Sequence, residues 1–185
     1  MIDLQKARLP ETVEVNGSLF PVHTSFKYWL RFLDLIEDKK TQPGAFDFLY
    51  VEAKPENRME GLAALVKFCN PGELLPRVDG SGRGEKAVDY TVDADYIYAA
   101  FMEMYGIDLV ESGMHWYKFQ ALFRGLHGTK LNEIIGYRLY ENTSGKRDNY
   151  VRQMEKLRSA WELPEESDEN DEELKAFEAK LHPQQ

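Results

Sequence analysis

The first clear pattern in the chain is a period of two. ETVEV and SLFPV, the two halves of Glu11 to Val22, flank Asn16-Gly17. Both central residues of a type I′ turn need positive φ, which Asn and Gly tolerate, so the stretch predicts a β-hairpin with a two-residue loop. That loop sets Val15 opposite Ser18, Val13 opposite Phe20 and Glu11 opposite Val22, so that Val13, Val15, Phe20 and Val22 share one face. Pro21 falls opposite Thr12, where its missing N–H costs the ladder little and is expected to stop a further strand from adding. Two strands do not stand alone in water, so the hairpin is expected to pack on helices.

After the hairpin the period becomes helical. Phe26, Trp29, Leu30, Leu33 and Ile36 form a stripe, widened by Tyr28, Phe32 and Leu35, which predicts a central helix covered from two sides, with Thr24 or Ser25 as its hydroxyl cap. Ala45 to Val51 reads as a short aromatic helix or turn. Arg58 to Cys69 predicts a helix burying Met59, Leu62, Val66 and Cys69 and stopped by Asn70-Pro71-Gly72. Asp93 or Thr91 is expected to cap a helix that buries Ile97, Ala100, Phe101 and Met104 and ends at Gly106. Met114 to Leu126 places Trp116, Phe119, Phe123 and Leu126 on one stripe. Leu131 to Tyr140 turns Leu131, Ile134, Ile135 and the stem of Arg138 inward, and close backbone packing is the expected reason for Gly136 inside it. Ser144 to Leu163 carries the seam Tyr150, Met154, Leu157 and Trp161, flanked by basic residues.

These elements define a mainly α protein: a single helical domain over residues 1–163, with the N-terminal hairpin (11–22) packed on it, and an acidic C-terminal tail over 164–185 that is expected to be disordered. A chain of 185 residues with 43% apolar composition can bury a core without staples. Its net charge of -9 is uneven. From Glu165 onward eight carboxylates face Lys175 and Lys180, which leaves six of the nine excess charges in the last 21 residues. The tail would repel a polyphosphate and the nearly neutral body would attract it weakly, which argues against nucleic acid as a partner. The lone Cys69 forms no intrachain disulfide. There is no run of about 18 apolar residues, and the N-terminus has no basic region followed by an apolar one, so neither membrane nor secretion is expected.

Catalytic chemistry is poorly represented. Gly80, Gly82 and Gly84 resemble a phosphate loop only superficially: Lys86 lies between Glu85 and Ala87 with no hydroxyl for magnesium, and no strand precedes the loop, so a flexible surface loop is expected. Asp89, Asp93 and Asp95 lack the twelve-residue array of a calcium loop, and the spacings of His23, His115, His127 and His182 fit no zinc pattern. His115 and His127 read as helix-end residues. No catalytic residue, metal or cofactor is expected.

Asp93-Ala94-Asp95-Tyr96-Ile97-Tyr98-Ala99-Ala100-Phe101, Tyr105-Gly106-Ile107-Asp108-Leu109, His115-Trp116-Tyr117-Lys118-Phe119 with Leu122 and Gly125-Leu126, and Ile134-Ile135-Gly136-Tyr137-Arg138 together resemble the Gp-fifteen family of small bacteriophage proteins, from long-tailed phages of Gram-positive hosts. The likeness runs from about Leu9 to Trp161 and includes the hairpin. It implies a non-enzymatic role in tail assembly, as a chaperone that binds the tape-measure protein or another tail protein in the cytoplasm of the infected host and is absent from the finished virion. The alternative is a structural tail or connector component retained in the particle, and self-association is left open. A tape-measure chain exposes apolar helical stripes that aggregate until the tube closes round them, and a helical chaperone would shield them. Candidate contacts are Tyr150, Met154, Leu157 and Trp161, with Met102, Met104 and Met114, whose polarizable side chains suit varied sequences.

Overall fold

The computed structural model describes residues 2–38, 40–70, 87–143, 145 and 147–164. The expectations for Pro71-Gly72, the Gly80 to Gly84 loop, Ser144 and the tail from 165 onward lie outside these residues. Among the described residues the elements run β1 (Thr12–Val15), β2 (Ser18–Pro21), α1 (Phe26–Glu37), a 3-10 helix (Pro43–Leu49), α2 (Arg58–Cys69), α3 (Ala94–Tyr105), α4 (Trp116–Gly125), α5 (Lys130–Arg138) and α6 (Asn149–Ala160). The protein is mainly helical with an N-terminal antiparallel hairpin, as its sequence predicts. It divides into two compact units, Met1–Glu133 and Ile134–Gln185, with the division inside α5.

In the first unit the hairpin has the predicted register, Thr12↔Pro21, Val13↔Phe20, Glu14↔Leu19 and Val15↔Ser18. Asn16 and Gly17 take φ of 52° and 76°, as a type I′ turn demands. Val13, Val15 and Val22 are buried, and β1 packs on α2, where the Asn16 amide donates to Glu60. Pro21 does not close its edge. The Val51 N–H donates to the Pro21 carbonyl at 3.1 Å and the His23 N–H to the Leu49 carbonyl at 2.8 Å, forming a bridge between Val22 and Tyr50. This bridge uses only carbonyls at Pro21 and Leu49, so the missing N–H is not needed.

α1 begins at Phe26 without the predicted hydroxyl cap. A backbone bridge takes the place of that cap: the Phe26 N–H donates to the Met114 carbonyl at 2.9 Å and the Trp116 N–H to the Thr24 carbonyl at 2.7 Å. The helix buries Phe26, Trp29 and Phe32, while Leu30, Leu33, Leu35 and Ile36 are half-buried and Tyr28 is exposed, so it is covered along one face and not from two sides.

α2 has the predicted ends, because the Asn57 side chain accepts from the Met59 and Glu60 N–H groups. Its predicted inner face holds only in part: Cys69 is buried and Leu62 half-buried, but Met59 and Val66 are not. Gly61, Leu65, Phe68 and Cys69 turn inward, whereas Met59 and Val66 are 64% and 38% exposed. Gly61 decides the rotation: it lets the helix approach Tyr50 and Pro55 more closely than a β-carbon permits.

α3 ends as predicted. Gly106 sits at φ 62°, its N–H donates to the Met102 carbonyl, and the Ile107 N–H reaches back to Phe101. At the other end Asp93 caps no helical N–H with its side chain; it accepts from the Asp89 N–H at 3.0 Å, while Asp89 accepts from Thr91 and Val92. α3 buries Ile97, Ala100 and Phe101, and Met104 is half-buried. α4 starts two residues later than predicted and buries Tyr117 as well as Trp116 and Phe119, while Phe123 is half-buried.

Stacked rings form the interior of this unit. Phe119 lies against Phe26 at 4.7 Å and Phe101 at 5.3 Å, and Trp29 stacks on Phe68 at 4.7 Å. Such pairs are worth roughly 0.5–1.5 kcal/mol each beyond the area they bury. Both buried indoles are satisfied: Trp29 donates to the His23 carbonyl at 2.8 Å, and Trp116 donates to the Cys69 carbonyl at 2.9 Å, an acceptor at the end of α2 that Gln120 Nε2 also reaches at 3.1 Å.

The second unit holds the rest of α5 and α6. Ile134 and Arg138 are buried and Ile135 half-buried. Gly136 is exposed, and among the described residues open space stands where a β-carbon would be, so the expected close packing is absent from them. Arg138 Nε donates to the Trp161 carbonyl at 2.6 Å and Arg158 Nη1 to the Tyr140 carbonyl at 3.2 Å, so each segment supplies an arginine to the other's backbone. α6 starts at Asn149, capped by the Asp148 carboxylate on the Val151 N–H at 2.9 Å, and ends at Ala160, shorter than predicted at both ends.

Candidate functional site

The backbone bridge between residues 24–26 and 114–116 lays α1 beside α4. α3 lies against α4 on the other side through the Phe101–Phe119 stack. Between α1 and α3 an apolar groove of about 280 Å³ remains, walled by Phe26 and Leu30 on one side and by Ala94, Ile97 and Tyr98 on the other, with Phe119 also lining it. Leu109 and Val110 form part of its lip. That lip is fixed: Asp108 Oδ1 accepts from the Val110 and Glu111 N–H groups at 2.8 and 3.2 Å, and Lys27 Nζ donates to the Val110 carbonyl at 2.6 Å. The lining suits aliphatic or aromatic groups, because little in it can hydrogen-bond beyond the tips of Lys27, Tyr90 and Tyr98.

Burial favours the neutral forms of four groups in this unit, Tyr50, Cys69, His115 and Tyr117. Burial pushes the Cys69 thiol up to about 12, so it stays protonated and poorly nucleophilic at neutral pH. Burial, helped by the Asp47 carboxylate, raises Tyr50 to about 12, and burial, helped by Cys69, raises Tyr117 to about 12. His115 is the N-cap of α4: its Nδ1 accepts from the Tyr117 N–H at 3.1 Å, which puts its proton on Nε2, and Nε2 donates to the Pro10 carbonyl at 2.9 Å. Burial holds this imidazole below its ordinary value despite the Pro10 carbonyl and the Glu11 carboxylate, which pull the other way. His127 ends α4 as predicted, with Nδ1 2.9 Å from the Gly125 carbonyl. Among the described residues no group of three or more His, Cys, Asp or Glu side chains is placed to hold a metal ion.

The predicted contact residues fall in both units. Met102 is 39% exposed on α3, Met114 is half-buried with its carbonyl in the α1 bridge, and half-buried Met104 accepts the His127 N–H on its sulfur at 3.3 Å. In the second unit Met154, Leu157 and Trp161 are half-buried along α6, but Tyr150 points out, 64% exposed, with its ring edge-on to Tyr140. Val151 takes the buried place beside it. The seam is therefore Val151, Met154, Leu157 and Trp161, and the groove between α1 and α3 is a feature the sequence did not reveal. Phe26, Leu30, Ile97 and Phe119 read as ordinary core, and no periodicity tells which core positions lack an opposite number.

The architecture is that of a small, mainly helical protein with an N-terminal hairpin and an apolar groove. Residues 5–163 match the family described as Bacteriophage Gp15 protein, and the chain belongs to that family. It is therefore a bacteriophage protein of the structural or assembly kind. No curated protein and no solved structure matches it. No helix among the described residues is long and apolar enough to cross a membrane.

Proposed function

We propose that the chain is a non-catalytic tail assembly chaperone that holds the tape-measure protein in the cytoplasm of the infected cell until the tail tube closes, and that it leaves before the virion is complete. The groove between α1 and α3 carries this reading. An open apolar concavity with a fixed lip offers burial to a helix's apolar stripe and provides no reagent to transform it. Membership in the phage family supplies the setting, and the neutral forms of Cys69 and His115 agree with a role in contact.

The reading is tested by mass spectrometry of purified particles together with affinity capture from infected cells. A chaperone is captured with the tape-measure protein before assembly and is missing from particles. A copy number in particles that matches the tail symmetry would make the chain a structural component instead.

A further inference from the structure

We propose that the groove selects an amphipathic helix on which a carboxylate lies about one turn from the large apolar side chains that enter. The inference rests on the proposed function and names the chemistry of the segment bound at that same site.

The volume sets what enters. About 280 Å³ is well above the roughly 150 Å³ cavity that takes up benzene, so the groove holds an aromatic ring or two aliphatic side chains. Val110, at the lip, is 69% exposed. An occupant that fills the groove but leaves this lip wet forgoes part of the available burial, so a polypeptide that covers groove and lip together fits better than a small molecule.

Charge sets what lies beside the apolar residues. Lys27 both lines the groove and ties down its lip. An ammonium has three N–H donors, and here one is given to the Val110 carbonyl, a neutral acceptor. Among the described residues Lys27 forms no ion pair. Asp108, the acid of the lip, is turned to its own backbone, where it caps Val110 and Glu111. A cation with donors to spare at the edge of an apolar groove is matched by a carboxylate one turn from the inserted side chains, the spacing at which residues of a helix share a face.

The test uses the full chain and the co-expressed tape-measure protein as probe. Ala94 is exposed at the start of α3, so Ala94→Trp puts a ring into the groove mouth without disturbing the core. Lys27→Glu reverses the edge charge, and Lys27→Met keeps the stem and removes the charge. Relative to wild type, capture is expected to fall about tenfold for Ala94→Trp and Lys27→Glu and less for Lys27→Met, with melting temperatures near the wild-type value. Wild-type capture that both Ala94→Trp and Lys27→Glu retain in full would overturn the inference and leave the chaperone reading standing. Absence of capture by the wild type would overturn that reading and this inference with it. If these variants instead dissociate a wild-type dimer in sedimentation, the occupant is a second copy of the chain, and the inference fails.

Discussion

The Tyr50 hydroxyl lies 2.9 Å from the point where a β-carbon on Gly61 would stand. That hydroxyl is buried and, among the described residues, has no hydrogen-bond partner. The Tyr50 ring is held by an edge contact with Phe20 at 6.1 Å and by the bridge to Val22, so it has little room to retreat. Gly61→Ala is expected to lower stability by about 1–2 kcal/mol even though alanine favours the helix. Tyr50→Phe removes the obstructing, unsatisfied oxygen and should be neutral or stabilising by itself. Urea denaturation of both single mutants and the double mutant checks this: the double mutant should recover most of the Gly61→Ala loss.

Gly136 presents the opposite case. It lies exposed in α5, its φ is not in the left-handed region, and among the described residues nothing stands where a β-carbon would go. Gly136→Ala should therefore stabilise the protein by roughly 0.5–1 kcal/mol, through helix propensity and a less disordered unfolded chain. A raised urea midpoint at unchanged slope is the expected readout.

His115 should make stability depend on pH. Its folded value lies below the ordinary 6.5, so on acidification the unfolded chain takes up the proton first. This contribution is complete above about 6.5 and is lost as pH falls from there through the folded value. Protonation also places a hydrogen on Nδ1, where the Tyr117 N–H must donate, and so breaks the cap of α4. Asparagine caps without titrating. Between pH 7.5 and 5.5 the wild type should lose more stability than His115→Asn, and denaturant midpoints at the two pH values measure the difference.

On α6, Met154 and Trp161 are half-buried, and the Trp161 carbonyl anchors Arg138. Met154→Ala with Trp161→Ala keeps that carbonyl. We expect the pair to weaken capture of the tape-measure protein more than it lowers the melting temperature. Capture equal to wild type would remove α6 from the contact surface.

Turn and stop signals are legible in the sequence, whereas the caps of α1 and α3 and the inward faces of the helices are less so. Asn16-Gly17 fixes the hairpin register because the turn chemistry is contained in two residues. The end of α2 at Cys69 is legible in the stop signal that begins at Asn70, whereas the Asn57 cap at its start emerges only in the structure. Which side of α2 turns inward depends on Gly61 meeting Tyr50 and Pro55, a tertiary contact with no trace in the helix's own periodicity. Likewise Ser25 offers a hydroxyl, but a backbone bridge to Met114 and Trp116, nearly ninety residues away, ties down the helix start instead. The groove was illegible for a related reason. It is a gap between correctly identified apolar stripes, and a stripe does not record whether its far end is covered.

The central claim is that this protein works by touching another polypeptide. Co-expression with the tape-measure protein tests it most directly, by the fraction of that protein left in the supernatant after centrifugation. The account predicts a several-fold rise in the soluble fraction when this chain is present, reduced by Ala94→Trp; a soluble fraction unchanged by the wild-type chain would contradict it.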